Sequence, residues 1–136
     1  MEKEPRARIP WDAVERWLVV LIALHSYAVG LFLLFATRWG AAFGGFGDVQ
    51  PLFFARQAGI FHFVVASGYL LEYHRDRGVS LMLLANGTAV VFLVAMSFTE
   101  PQAWSVPLSA LGDAAMALVV LAVHRASRSA SRSAGS

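Results

Sequence analysis

The sequence has no cysteine and few charged residues for its length. Without cysteine the chain has no disulfide bond, no thiolate metal site and no dithiol redox chemistry. Only 11 basic and 9 acidic residues occur among 136, and 57% of the residues are hydrophobic. Soluble domains carry about 25% charged residues. The composition therefore predicts a single integral membrane domain covering residues 1–136.

Common functional motifs are also absent. The sequence contains no phosphate-binding P-loop, no nucleophile elbow, no HExxH zinc motif and no metal-ligand spacing of histidines. A formal net charge of +2 is too small to indicate nucleic-acid binding. No catalytic residue is identified, and the pattern does not favour an enzyme.

Four stretches are long and apolar enough to cross a bilayer as helices. Trp17–Thr37 and Val79–Thr99 each hold 21 residues without a formal charge, and about 20 residues span a hydrocarbon core. The stretches 51–73 and 104–124 contain few formal charges. The sequence therefore predicts an all-α fold, a membrane-spanning antiparallel four-helix bundle. The predicted helices cover about residues 14–38, 51–74, 78–99 and 104–124.

The basic residues predict the orientation of these helices. Nine of the eleven lie before the first span, between the second and third, or after the fourth, and only Arg38 and Arg56 lie on the other side. Positive charge favours the cytoplasmic side. We therefore expect a multi-pass protein of the plasma (inner) membrane with both termini in the cytoplasm. Residues 126–136, rich in Ser, Arg and Ala, are expected to form a flexible cytoplasmic tail.

Each predicted span carries one strongly polar residue at a similar depth. His25, His62, Asn86 and Asp113 lie about 12–16 Å from the cytoplasmic boundary at about 1.5 Å of rise per residue. Polar groups are costly at that depth, and an ionisable one indicates a functional site. The sequence therefore predicts a central polar layer.

Two further residues are predicted to contribute to ligand binding beside this layer. Tyr69 shares a helical face with His62, and Arg56 lies near the outer end of the second span, above Asp113. The predicted ligand-binding residues are thus His25, His62, Asn86, Asp113, Arg56 and Tyr69.

Several uses of the polar layer remain open at this point. The side chains can cross-link the helices by hydrogen bonds, or they can bind a small hydrophobic molecule such as a quinone or a lipid. His25 and His62 can serve as axial ligands of a b-type haem in an electron carrier. A zinc site of His25, His62 and Asp113, and a transporter or proton path, are further alternatives.

The stretch FFARQAGIFHFVVASGYLLEYHRDRG resembles the small four-helix membrane proteins of the DoxX-like group. Those proteins often carry an Arg-x-x-Gly, matched by Arg56 and Gly59, and later a Gly-Tyr, matched by Gly68 and Tyr69. Some members are associated with quinone-linked oxidation of sulfur compounds, an activity that is not carried over to a chain without cysteine. The resemblance implies a four-helix bundle with a central pocket.

These observations favour a binding or accessory subunit embedded in the lipid bilayer. The partners expected are a small hydrophobic ligand and either a larger membrane complex or further copies of the chain, without nucleic acid. Haem b and a quinone are the cofactors under consideration, and no resident metal is predicted beyond the haem alternative.

Overall fold

The computed structural model describes residues 9–99 and 101–134, and the chain is all-helical there. Lys3, Arg6 and Arg8, which contribute to the predicted orientation, lie outside the described residues. The described residues form five helices: α1 Trp11–Phe35, α2 Thr37–Phe43, α3 Leu52–Asp76, α4 Ser80–Thr99 and α5 Ser105–Ala134. The all-α class predicted from the sequence is confirmed.

Three of the four predicted spans have the length and composition of membrane helices within the described part of the chain. They are α1, α4 and residues 105–133 of α5. α3 is as long as α1, with 25 residues, but Arg56, Gln57 and His62 make it less apolar. The structure therefore supports a membrane protein with three clearly apolar spans.

The surface of the chain is as apolar as a lipid-facing surface requires. Phe35 and Phe98 are 84% and 86% exposed, and many other large apolar side chains are exposed along the helices. The buried core is small, and its central cluster includes Val19, Met82 and Val120. Contiguous exposed apolar surface of this kind indicates contact with a membrane or a partner protein.

The long helices are not packed in chain order. α1 packs most extensively against α3 and also against α5, while α4 packs against α5. The short turn of residues 74–78 predicts that α3 and α4 are an antiparallel neighbouring pair, and the two helices do contact each other, although less extensively than those pairs. Glu72 anchors the turn by accepting hydrogen bonds from the backbone N–H groups of Ser80, at 3.0 Å, and Leu81, at 2.9 Å.

α1 and α3 approach each other closely at a pair of glycines. A Cβ atom on Gly30 would lie 2.8 Å from the carbonyl oxygen of Gly59, and one on Gly59 would lie 2.9 Å from the carbonyl oxygen of Gly30. Only residues without a side chain fit at this crossing. Small residues allow membrane helices to gain van der Waals contact between their backbones.

The first turns of α1 are joined to the last turns of α5. His124 Nδ1 lies 2.9 Å from a carboxylate oxygen of Glu15, and Glu15 is only 5% exposed. Ser127 donates a hydrogen bond to Asp12. Its place at the end of the predicted fourth span predicts a solvated His124, but the side chain is only 17% exposed, so this prediction is wrong. Because α1 begins at Trp11, earlier than predicted, its acidic first turns lie beside His124.

α5 is also longer than predicted. Residues 126–134, expected to be flexible, continue the helix to Ala134, whereas Gly135 and Ser136 lie outside the described residues. Ala and Arg are good helix formers. The serines bond within the helix: the hydroxyl groups of Ser129, Ser131 and Ser133 each donate to the carbonyl oxygen four residues earlier. The composition typical of disorder is therefore compatible with a regular helix.

We expect Gly30→Ala to lower the stability of the protein in detergent by about 1–3 kcal/mol, because the added methyl group meets a backbone carbonyl of α3 that no rotamer change can move. Gly87→Ala is the matched control, since a Cβ there has nothing within 4 Å among the described residues, and it should change stability by less than about 1 kcal/mol. Thermal unfolding followed by circular dichroism measures both. Equal melting temperatures for the two variants would contradict the close crossing.

Candidate functional site

A cavity of about 510 Å³ lies among the four long helices. His25 from α1, His62 from α3 and Asp113 from α5 line it, and α4 contributes apolar side chains such as Phe92. Three of the six predicted site residues are therefore brought together at one cavity, although they lie on three helices.

The polar side chains of this cavity have no partner in the part of the chain that the structure describes. The side chains of His25, His62 and Asp113 make no hydrogen bond or ion pair with any residue of 9–99 and 101–134. His25 is exposed at the surface of the chain, and His62 and Asp113 are half-buried. These three side chains can therefore donate and accept hydrogen bonds to a molecule inside the cavity.

The other three predicted residues lie elsewhere. Tyr69 is 3% exposed and belongs to the apolar core cluster. Asn86 is buried away from the residues that line the cavity, and its amide nitrogen lacks a partner among the described residues. Arg56 lines a separate cavity of about 490 Å³ near the end of α1, beside Thr37 and Trp39. Tyr69 and Asn86, predicted to bind the ligand, are thus buried side chains that do not line the cavity.

A second cavity, of about 580 Å³, adjoins the first and was not predicted. The two share Val29 and Ser109 as lining residues. The walls of the second cavity are almost entirely apolar, and its aromatic members are Phe32, Trp39, Phe43, Phe46 and Trp104. The two cavities are therefore adjacent, and one has polar lining residues where the other is aromatic.

The short helix α2 builds the aromatic end. The rings of Phe32, Trp39 and Phe43 stack in sequence, with centroid distances of 5.8 and 5.4 Å. Trp104 donates a hydrogen bond from Nε1 to the carbonyl oxygen of Phe43 at 3.1 Å, and Ser105 Oγ donates to the carbonyl oxygen of Gly44 at 2.7 Å. These bonds hold α2 against the beginning of α5. The density of aromatic residues from Trp39 to Phe46 is the sequence signal for this element. The glycine-rich segment after the first span predicts a connecting loop rather than a loop folded over the mouth of the bundle, and its first part instead belongs to the helix α2.

The arrangement does not fit a haem held by His25 and His62. A porphyrin between the two imidazoles would have to separate α1 from α3. Close to both histidines the helices are in direct contact, since the rings of Tyr27 and Phe63 pack with centroids 5.2 Å apart and the Tyr27 and Ser67 hydroxyl groups lie 2.8 Å apart. The haem alternative would therefore require this interface to open.

A three-ligand metal site is not supported either. Within residues 9–99 and 101–134, no group of three His, Asp or Glu side chains has the geometry to hold a metal ion. His25, His62 and Asp113 line one cavity without converging on one point. The zinc alternative considered from the sequence is therefore not supported.

Comparisons with known proteins give no relative: no family model, no curated protein and no solved structure matches the chain.

We expect the purified protein to be colourless, because the α1–α3 contact leaves no space for a porphyrin between His25 and His62. An absorption spectrum of protein purified from haem-replete cells should show no Soret band. A Soret band in the wild type that disappears in His25→Ala and in His62→Ala would contradict this interpretation.

Proposed function

We propose that the chain is a multi-pass protein of the plasma membrane that binds a small lipophilic molecule with a polar end, such as a quinone or a lipid, between its long helices. It acts as a binding or accessory subunit. The observation that carries the proposal is that an aromatic cavity adjoins the cavity lined by His25, His62 and Asp113.

The proposal includes a membrane-spanning antiparallel four-helix bundle in which α3 also crosses the bilayer. α3 runs antiparallel to α1 and contacts it from Gly59 against Gly30 to Ser67 against Tyr27. α1 is among the most apolar helices of the chain, so a helix in contact with it over this length lies at the same depth. The resemblance to the DoxX-like group, which implies a four-helix bundle with a central pocket, agrees with this arrangement.

The size and the lining of the two adjacent cavities suit a lipophilic ligand. Each cavity, at about 510 and 580 Å³, lies in the range of small-molecule pockets, about 300–1,000 Å³. The aromatic walls favour a flat ring or an alkyl tail. A carbonyl or hydroxyl group on the ligand would accept from or donate to the histidines and Asp113.

A purely structural role for the polar layer is less well supported. That role requires hydrogen bonds between helices, but His25, His62 and Asp113 form none within the described ranges. The interhelical polar contacts that do exist, such as the Glu15–His124 pair near the helix ends and the Tyr27–Ser67 pair between α1 and α3, do not involve these three residues. The central polar groups are thus better explained by a guest molecule than by cross-linking.

We expect His62→Ala and Asp113→Ala each to reduce retention of the bound molecule by roughly tenfold, because each removes a hydrogen bond worth about 1.4 kcal/mol. Protein purified in mild detergent is extracted with organic solvent, and the extract is compared by mass spectrometry with that of the surrounding membrane. His74→Ala is the matched control, since His74 is an exposed residue of the same helix that lines neither cavity. No enriched lipophile, or equal loss in His74→Ala, would refute the proposal.

The proposed orientation is testable because the chain has no cysteine of its own. Single-cysteine variants Asp48→Cys, in the segment after α2, and Ser131→Cys, near the end of α5, are treated with a membrane-impermeant maleimide on intact cells. We expect labelling of residue 48 only, and labelling of residue 131 only after the cells are opened. The reverse pattern would overturn the orientation with both termini in the cytoplasm.

A further inference from the structure

A further cavity, which is strongly basic, lies at the end of the molecule where α1 begins and where α3 and α5 end. Its volume is about 490 Å³. Four arginines from three parts of the chain line it: Arg16 of α1, Arg77 directly after α3, and Arg128 and Arg132 of α5. It shares no lining residue with the aromatic and central cavities.

The carboxylates of this cavity already have partners. Glu15 is paired with His124 at 2.9 Å, and Asp12 accepts a hydrogen bond from Ser127. Among residues 9–99 and 101–134, no carboxylate oxygen lies within 4 Å of a guanidinium nitrogen of the four lining arginines. Four arginines against two carboxylates leave a net charge of about +2 with His124 neutral.

One wall of the cavity is held in place by Arg77 and Tyr73. Arg77 occupies the left-handed backbone region, with φ of 53°, and ends α3. Its guanidinium carbon lies 5.1 Å from the centre of the Tyr73 ring, and its Nη1 donates to the Tyr73 hydroxyl group at 3.3 Å. Tyr73 is itself buried. The guanidinium is therefore ordered before a ligand arrives, which lowers the entropy lost on binding.

The preference of basic residues for the cytoplasmic side does not by itself explain this grouping. Arg75 and Arg125 belong to the same predicted side of the membrane, yet neither lines the cavity. Membrane topology requires positive charge near the ends of the spans. It does not require arginines from three parts of the chain to line one cavity.

We propose that this cavity binds a phosphate-bearing anion. Guanidinium groups donate paired N–H bonds that match the oxygens of a phosphate group, and such charge-assisted bonds are stronger than neutral ones. The cavity lies at the end of the apolar spans, at the depth of lipid headgroups. The headgroup of an anionic phospholipid and a soluble phosphate ester offer the same chemistry.

The test uses the full chain in nanodiscs of phosphatidylcholine, with or without phosphatidylglycerol, followed by native mass spectrometry of the lipid retained after release. We expect the wild type to retain phosphatidylglycerol selectively. Arg16→Gln and Arg128→Gln should each reduce that retention by about fivefold, the equivalent of about 1 kcal/mol per basic residue near a membrane surface. Arg125→Gln, on α5 but outside the cavity, is the matched control and should retain the lipid as the wild type does.

A second experiment distinguishes a phospholipid headgroup from a soluble phosphate ester. Glycerol 3-phosphate is added to the protein in detergent, and its binding is measured by calorimetry for the wild type and the same variants. Binding that is lost in Arg128→Gln but not in Arg125→Gln, without selective lipid retention, assigns the cavity to a soluble phosphate ester. If neither probe binds, or if Arg125→Gln reduces binding as much as Arg128→Gln, the charge is diffuse and the proposal is wrong.

Discussion

The contact between α1 and α3 at Gly30 and Gly59 is the constraint on which the rest of the arrangement depends. Because neither residue has a Cβ atom, the two backbones meet at distances that any side chain would prevent. His25 is about 7.5 Å along α1 from Gly30, and His62 about 4.5 Å along α3 from Gly59, at about 1.5 Å per residue. The crossing therefore fixes both histidines relative to the cavity that they share, and it closes the space that a haem would need.

Polar contacts join α5 to α1 near its C-terminal end and to the α2 segment at its N-terminal end. At one end the Glu15–His124 pair joins it to α1, and at the other Trp104 and Ser105 donate hydrogen bonds to the last residues of α2 and the glycine that follows. In the middle, the small residues Ser109 and Gly112 face the cavity. The polar ends hold the helices together, so the centre can remain open to a guest molecule without loss of the fold.

The two proposed sites follow from the same distribution of polarity. Charged side chains lie at the end of the molecule where α1 begins, where Glu15 and Asp12 already bond to residues of α5 and leave the arginines available to an anion. Among the described residues, His25, His62 and Asp113 at the central cavity have no hydrogen-bond partner. One site thus suits the phosphate of a polar headgroup, and the other suits a lipophilic molecule with one polar end.

Local sequence patterns predicted much of the fold but little of the packing. The uncharged run from Trp17 to Thr37 predicted a membrane helix, and α1 is one of the three apolar spans, because length and hydropathy are properties of consecutive residues. The pairing of Glu15 with His124 joins residues 109 positions apart, and no local pattern indicates it. Similarly, a helical face predicted that Tyr69 points inward, but which inward residues meet a cavity depends on how the helices cross.

The central claim is that a lipophilic molecule occupies the space between the long helices, and photoaffinity labelling tests it most directly. The probe is a photoreactive benzoquinone with an isoprenoid tail, applied to the protein in nanodiscs with and without an excess of the unreactive quinone. The account predicts displaceable cross-links on the residues of α1 and α5 that line the two cavities, above all His25, Val29, Phe32, Ser109 and Asp113. Cross-links confined to the exposed faces at Leu84, Val91 and Phe98 of α4, unaffected by the competitor, would contradict it.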